Sequence, residues 1–233
     1  NATIKEAIKR KGLRYIIKKG ISVWFYLFYY RIFCSKKAFL FNGKKYHYFY
    51  NIINNTWMNE RSVEIPIVIE VVNRNKSKKI LEVGNVLANY CSIPHEILDK
   101  YEKAPNVINQ DVVDYDSKEK YDLIVSISTL EHVGWDENPR DDNKILMAVK
   151  NLQNLLKTPD GIMIITLPLG YNKVLNEHLE NGFIKFHEQF YLIRMGKNDW
   201  KESSWDQVKN VKFNHPYPGA NGLVIGINRA DKT

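Results

Sequence analysis

Cysteine is scarce in this sequence, and the residue patterns that mark common metal and nucleotide sites are missing. Cys34 and Cys91 are the only cysteines among 233 residues, too few for a disulfide framework and typical of a reducing compartment. They lack C-x-x-C partners, and the six histidines show no H-E-x-x-H spacing, so we predict no metal site. The G-x-G-x-x-G and P-loop patterns are also absent, which argues against a dinucleotide-binding domain.

Long apolar runs are missing as well. No run reaches the ~20 residues that a membrane-spanning helix needs. No signal-peptide pattern opens the printed sequence, so we expect a cytoplasmic location. Hydrophobic residues make up 44% and charged residues 26%, which is ordinary globular composition.

Acidic residues are almost absent from the first fifty positions. This stretch holds twelve Lys and Arg residues against one acid, Glu6, and 14 of the 29 aromatic residues. The remainder carries 22 basic and 25 acidic residues and is close to neutral. We therefore predict a basic, aromatic, helical extension over residues 1–58 and one globular domain over residues 59–233.

The extension has three interpretations. Its aromatic stretch at residues 21–33 is too short to span a bilayer, but it suits an interfacial helix beside anionic headgroups. Basic and aromatic residues also suit nucleic acid. A helix packed on the body, with its lysines solvated, is the first interpretation; peripheral contact at the inner membrane face through residues 1–50 ranks second, and nucleic acid ranks third. The sequence predicts no oligomeric state.

Short apolar strands alternate with helices from position 78 onward, which favours βαβ units and a mainly parallel sheet. The predicted strands cover residues 79–83, 93–98, 106–109, 121–128, 162–167, 183–188 and 223–228. Helices are expected at 59–73, with Pro66 inside or near the end, and at 142–157. An Asn42-Gly43 turn predicts a hairpin within residues 39–50.

Polar residues stand where these strands end. Gly84 follows the first strand and lets a backbone turn approach a ligand closely. Asp99 ends the second strand, where an acid can accept hydrogen bonds from ribose hydroxyls. Asp111 follows the third, in position to hold an adenine edge. The carboxyl ends of parallel strands share one edge of the sheet, so these residues predict a nucleotide-like ligand there.

This arrangement resembles the class I S-adenosylmethionine-dependent methyltransferases over residues 60–228. Their first motif, E/D-x-G-x-G-x-G, corresponds to residues 82–88, where Val86 and Ala88 replace the last two glycines. The resemblance implies a Rossmann-like α/β fold with a mainly parallel seven-stranded sheet and S-adenosylmethionine as cofactor. The implied cofactor-binding residues are Glu82, Gly84, Asn85, Asp99, Asp111, Ser128, Leu130 and Arg61.

Within that family, three segments resemble methyltransferases of cell-surface glycan biosynthesis: residues 54–66, 84–87 and 131–137. This implies O-methylation of a sugar of a cell-surface glycan or of a lipid-linked glycan precursor. Two alternatives stay open: an RNA or DNA methyltransferase that grips phosphate with the basic extension, and a non-catalytic methyltransferase-like module. The missing glycines favour the second, whereas the retained Glu82, Asp99 and Asp111 oppose it.

A sugar hydroxyl is a weak acid, so its methylation benefits from a general base, and histidine is the natural candidate. We expect His132 as the base, with Glu131 orienting it or contacting cofactor, and His187 as the second candidate. Asp136, Glu137 and two further acids follow. A divalent ion there is conceivable, but a solvated loop before a helix is the favoured interpretation.

Overall fold

The structure is a computed structural model and describes residues 20, 21, 24–26, 28–30 and 32–230. Within these residues a hairpin is formed by β1 (Ala38–Phe41) and β2 (Lys44–His47). The main sheet contains β3 (Ile80–Val83), β4 (Glu96–Leu98), β5 (Val107–Ile108), β6 (Leu123–Ile127), β7 (Ile162–Pro168), β8 (Glu188–Gly196), β9 (Asp199–Ser203) and β10 (Gly222–Arg229). The α-helices are α1 (Arg61–Arg74), α2 (Lys144–Asn154), α3 (Lys173–Glu180) and α4 (Trp205–Val208). The 3-10 helices are η1 (Ile53–Met58), η2 (Leu87–Asn89) and η3 (Leu130–His132).

The main sheet has the order β5-β4-β3-β6-β7-β10-β8-β9. The five adjacent strands β5, β4, β3, β6 and β7 are parallel to one another. Strands β10, β8 and β9 each pair antiparallel with their neighbours. The chain runs outward from β3 in one direction and then returns to build β6 and β7 on the other side. This reversal between β3 and β6 is the switch point at which Rossmann-like sheets bind ligands. The predicted Rossmann-like fold class is confirmed.

The sheet has eight strands rather than the expected seven. The additional strand, β9, is a polar edge strand that forms a hairpin with β8, and its sequence has no continuous apolar run. The strand predicted at 183–188 actually begins at Glu188. Strands β3, β6 and β7 are buried almost throughout, as central parallel strands with covered faces should be.

Helix α1 contains Pro66 without ending there. Proline cannot donate to the carbonyl four residues earlier, which belongs to Ser62. That carbonyl instead accepts a hydrogen bond from the Phe49 amide at 2.9 Å. The segment before α1 therefore supplies the donor that proline lacks.

The extension is partly built into the core. The predicted hairpin is confirmed, with φ of 48° at Asn42 and 71° at Gly43, the left-handed pair of a type I′ turn. Phe39 and Trp57 are buried in the same cluster as residues of α1 and the sheet, so the hydrophobic core is continuous across position 58. The basic residues at positions 5–19 and Arg31 lie outside the described residues. No helix of the described part has the length and hydropathy needed to cross a membrane.

Candidate functional site at the carboxyl edge of the sheet

The turn after β3 depends on Gly84. Its φ is +84°, a conformation that side chains disfavour. A Cβ at this position would lie 2.3 Å from Oγ1 of Thr129, which follows β6. The absence of a side chain therefore lets the ends of β3 and β6 approach each other.

Glu82 supports this turn from behind. Its buried Oε1 accepts hydrogen bonds from the amides of Val86 at 2.9 Å and Leu87 at 2.8 Å. Its Oε2 lies 2.9 Å from Nε2 of His95. The expected contact between Glu82 and a cofactor is therefore corrected, because its carboxylate is engaged with the loop and does not line the cleft. These bonds fix the loop path where Val86 replaces the family's glycine.

A cleft of about 430 Å³ opens at the switch point between β3 and β6. This volume lies in the ~300–1,000 Å³ range of small-molecule sites. Its walls are Val83, Gly84, Asn85, Val86, Leu98, Asp99, Lys100, Tyr101, Glu102, Gln110, Asp111, Val112, Ser128, Thr129, His132, Val133, Asp136 and Glu137. The sequence-predicted residues that meet here are Gly84, Asn85, Asp99, Asp111, Ser128 and His132.

One carboxylate oxygen of Asp99 is hydrogen-bonded to backbone amides in the cleft wall. Oδ1 accepts hydrogen bonds from the amides of Tyr101 and Glu102, both at 2.8 Å. Within the described residues, Oδ2 has no such partner. Beside it, the Tyr101 ring is 71% exposed and lines the cleft. One oxygen thus fixes the turn, while the other remains able to accept a ligand hydroxyl.

The Asn85 side chain is hydrogen-bonded to another residue of the cleft wall. Its Nδ2 donates to Oε1 of Glu102 at 2.7 Å. Its Oδ1 is buried and has no hydrogen-bond partner among the described residues. A buried acceptor without a donor is costly, so this atom favours a ligand that donates to it.

Asp111 belongs to a four-residue ion-pair cluster with Lys100, Glu137 and Lys144. Lys100 Nζ lies 2.8 Å from both Asp111 Oδ2 and Glu137 Oε2. Lys144 Nζ lies 2.6 Å from Asp111 Oδ2 and 2.5 Å from Glu137 Oε2. Burial raises the pKa of each acid, but hydrogen bonds from the two lysines outweigh it and lower the pKa of both Asp111 and Glu137. The solvated loop expected at Glu137 is therefore wrong, and Asp111 reaches the cleft wall already paired.

His132 lines the cleft and lies in a chain of hydrogen bonds. Its Nδ1 is 2.5 Å from Oδ2 of Asp136, and the same oxygen accepts from the Tyr171 hydroxyl at 2.6 Å. A carboxylate only accepts, so Nδ1 carries the hydrogen and Nε2 is left as the basic nitrogen. Tyr171 also packs edge-on against the imidazole, with ring centroids 4.8 Å apart. Burial raises the pKa of Asp136, but the hydrogen bonds from Tyr171 and His132 outweigh this effect and lower the pKa, so Asp136 stays ionised.

Glu131 lies beneath the imidazole. Its Oε1 is 3.6 Å from Nε2 of His132, and its Oε2 is buried with no partner in the described part of the chain. Burial raises the pKa of this carboxyl well above its usual range. The protonated acid is therefore the favoured form, and it lies close enough to influence the orientation of His132.

The raised pKa predicts a pH-dependent stability. The native state retains a proton that the unfolded chain releases near pH ~4.3, so Glu131 makes stability fall as pH rises from there to the native pKa. Glu131→Gln should remove this decline. Relative to the wild type, the variant should gain stability between pH ~4 and pH ~7, because it has no proton to lose in that range.

Urea denaturation at the two pH values measures the effect. Glu177→Gln, which changes an exposed glutamate on α3, is the matched control and should show no such pattern. If Glu131→Gln instead loses stability relative to the wild type as pH rises from ~4 to ~7, the native carboxyl is ionised.

Arg61 supports the end of β6 from inside the protein. Its Nη1 donates to Oε2 of Glu64 at 2.9 Å and to the Ile127 carbonyl at 3.1 Å. Oε1 of Glu64 accepts from the hydroxyls of Ser128 at 2.5 Å and Thr166 at 2.6 Å. The expected contact between Arg61 and a cofactor is therefore corrected, because its guanidinium lies behind the cleft wall. Ser128 lines the cleft, but its hydroxyl is committed to Glu64.

Two further residues expected in the site, Leu130 and His187, lie outside the cleft. The Leu130 side chain is fully buried in the core and does not reach the cleft. His187 lies at the opposite end of the sheet, where Nδ1 is 3.0 Å from Oδ1 of Asn228. Asn228 pairs with Met163 near the start of β7, whereas the cleft lies where parallel strands finish. His187 therefore cannot join His132 in one site.

Sequence reasoning missed Lys100, which lines the cleft, and two residues that bond to its lining, Tyr171 and Lys144. Tyr171 comes three positions after β7 ends at Pro168, and the strand-end rule applied to the fifth parallel strand would have found it. Lys100 directly follows Asp99 at the end of β4, so the strand-end rule would have found it as well. Lys144 joins Asp111 from 33 positions away, and nothing in the sequence indicates that pair.

No protein-family model matches the chain, and no curated protein is significantly similar to it. Similar solved structures include an S-adenosylmethionine-dependent methyltransferase from Clostridium acetobutylicum ATCC 824, with 14% identity, 70% of this chain and 89% of that chain covered, and a TM-score of 0.38. Another is N-methyltransferase NodS from Bradyrhizobium japonicum WM9 in complex with S-adenosyl-L-homocysteine, with 12% identity, coverage of 72% and 87%, and a TM-score of 0.43. A third is the sugar N-methyltransferase KedS8 from Streptoalloteichus sp ATCC 53650, with 13% identity, coverage of 69% and 84%, and a TM-score of 0.36. All three are methyltransferases.

Proposed function

We propose that this chain is an S-adenosylmethionine-dependent methyltransferase that O-methylates a sugar of a cell-surface glycan or of its lipid-linked precursor. The observation that carries the proposal is the cleft at the switch point. It brings together the Gly84 turn, the Asp99 carboxylate and the hydrogen-bonded His132. A nucleoside-recognising acid and a base in one cleft suit transfer of a group from a nucleoside cofactor to a second substrate.

The cleft residues fit the cofactor. Asp99 would hold the ribose hydroxyls through Oδ2, and the exposed Tyr101 ring offers a stacking surface for the purine. The buried, unpartnered Oδ1 of Asn85 would accept from an ammonium or hydroxyl group of the ligand. Asp111 offers less than the sequence suggested, because both of its oxygens already accept hydrogen bonds. The chemistry that S-adenosylmethionine supplies when bound is an electrophilic methyl group on a sulfonium.

His132 is proposed to act on the acceptor. Nε2 would take the proton of the acceptor hydroxyl as that oxygen is methylated. Asp136 holds Nδ1–H and stabilises the imidazolium that forms, and Tyr171 fixes Asp136. The walls of the cleft contribute by holding the two reactants in line.

The sugar acceptor is proposed from the resemblance of residues 54–66 and 131–137 to glycan methyltransferases. A location at the cytoplasmic face of a membrane would suit a lipid-linked acceptor. The net charge of residues 1–50 also supports the nucleic-acid alternative, which predicts binding that weakens steeply with salt.

Isothermal titration tests the cofactor proposal directly. S-adenosylhomocysteine and S-adenosylmethionine should each bind with one site per chain, whereas NAD should not, since the glycine pattern that dinucleotides require is absent. Binding of NAD but of neither sulfur compound would overturn the proposal. Binding without any methyl transfer to sugars or RNA would favour the non-catalytic module.

A further inference from the structure

An aromatic face covers one side of the helical segment before the hairpin. The described residues between positions 20 and 33 are helical. Eight of their large apolar side chains are exposed, from 41% at Tyr26 to 70% at Phe33. The seven besides Tyr26 are Ile21, Trp24, Phe25, Phe28, Tyr29, Ile32 and Phe33. Spacings of three and four residues place these seven on one side of a helix, and we call them the aromatic face.

The other side of the segment is already packed on the body. Tyr30 and Cys34 are 8% and 3% exposed. The Tyr30 ring lies 5.2 Å from that of Tyr50 and 6.1 Å from that of Trp57, between centroids. The helix is thus anchored through one side, and the aromatic face points away from the core.

A contiguous apolar surface of seven large side chains marks an interaction site, because soluble proteins rarely leave one uncovered. The charge around it indicates the partner. Residues 1–50 contain twelve basic residues and one acid. In the described part, Lys36 and Lys37 follow the face directly and are exposed. Tryptophan and tyrosine beside lysine are typical of helices that lie in a bilayer interface and contact anionic headgroups.

Other occupants fit less well. Ile21 and Ile32 are aliphatic and cannot stack on bases, which is how single-stranded nucleic acid uses apolar side chains. Two copies joined through this face would bring two strongly basic segments together, and like charges repel. The aromatic stretch at residues 21–33 is shorter than the ~20 residues that a membrane-spanning helix needs, so contact parallel to the membrane surface suits it better.

We propose that the aromatic face binds the surface of a bilayer containing anionic lipid, with Trp24, Phe25 and Phe28 inserted at the level of the headgroups. This inference is independent of the cofactor and of the reaction at the cleft.

Vesicle flotation with the full 233-residue chain tests it. Binding to phosphatidylcholine vesicles with about 30% phosphatidylglycerol should exceed binding to phosphatidylcholine alone by ~10-fold or more, since each basic residue near the surface contributes. It should weaken several-fold between about 0.1 and about 0.5 M NaCl. The Trp24→Ser/Phe25→Ser variant should lose ~10-fold or more of the remaining affinity.

The matched control is Phe183→Ser/Met195→Ser, which removes two exposed apolar side chains elsewhere and should bind like wild type. Both double variants change exposed residues, and circular dichroism checks that they fold. Equal flotation with neutral vesicles, or no effect of the Trp24/Phe25 change, would overturn the proposal. So would a dimer that this change dissociates, or RNA binding in the absence of vesicle binding.

Discussion

His132→Ala is expected to lower turnover by roughly 10²–10⁴ while cofactor affinity stays near that of the wild type. The imidazole is held by Asp136 at 2.5 Å, so it is oriented before substrate arrives. Removing it leaves the acceptor hydroxyl without a base, but it leaves the Gly84 turn and Asp99 in place.

Transfer of a radiolabelled methyl group from S-adenosylmethionine to a panel of nucleotide sugars and polyprenyl-linked sugars measures this effect. Asp136→Asn should cause a smaller loss, because the imidazole remains but its orientation is weakened. His178→Ala is the matched control, since that imidazole bonds to the Asp142 carbonyl outside the cleft. Full activity of His132→Ala would remove the base role from this residue.

Asp99→Ala is expected to weaken the binding of S-adenosylhomocysteine by ~1–3 kcal/mol, which is about 5- to 150-fold. The loss arises because two ribose hydroxyls would have no acceptor in a partly desolvated cleft. Calorimetric titration measures it, and Asp116→Ala, an exposed acid outside the cleft, should change nothing.

Oδ1 of Asp99 also holds the turn at Tyr101 and Glu102, so a purely structural effect must be separated from a ligand contact. Asp99→Asn keeps an acceptor for those amides but replaces the second oxygen with a donor. If Asp99 binds ribose, the asparagine variant should still bind weakly. Wild-type affinity in Asp99→Asn would assign the residue to the loop alone.

The sequence predicted the fold because its central strands carry a local signal. Residues 121–128 read as a buried strand and form β6, and the strand-end rule placed Gly84, Asp99 and Asp111 at one edge. Strand β9 escaped prediction because it is polar and lies at the edge of the sheet, where it pairs with β8 alone.

Side-chain roles were harder to predict because they depend on partners that are distant along the chain. Glu82 looked like a ligand-binding acid, but its carboxylate holds amides of its own loop. Arg61 is neutralised by Glu64 and supports Ile127, a residue 66 positions away. His187 resembled a second base until the antiparallel pairing of β10 placed it at the far end of the sheet. The position of a residue after a strand indicates which edge of the sheet it reaches, but it does not indicate the hydrogen-bond partners of its side chain.

The most direct measurement is electron density from crystals of the protein grown with S-adenosylhomocysteine. The account predicts density across the Gly84 turn, with the ribose at Oδ2 of Asp99, the adenine near Tyr101 and the sulfur facing His132. Clear density for the ligand at another place, or an empty cleft at a saturating concentration of S-adenosylhomocysteine, would contradict it.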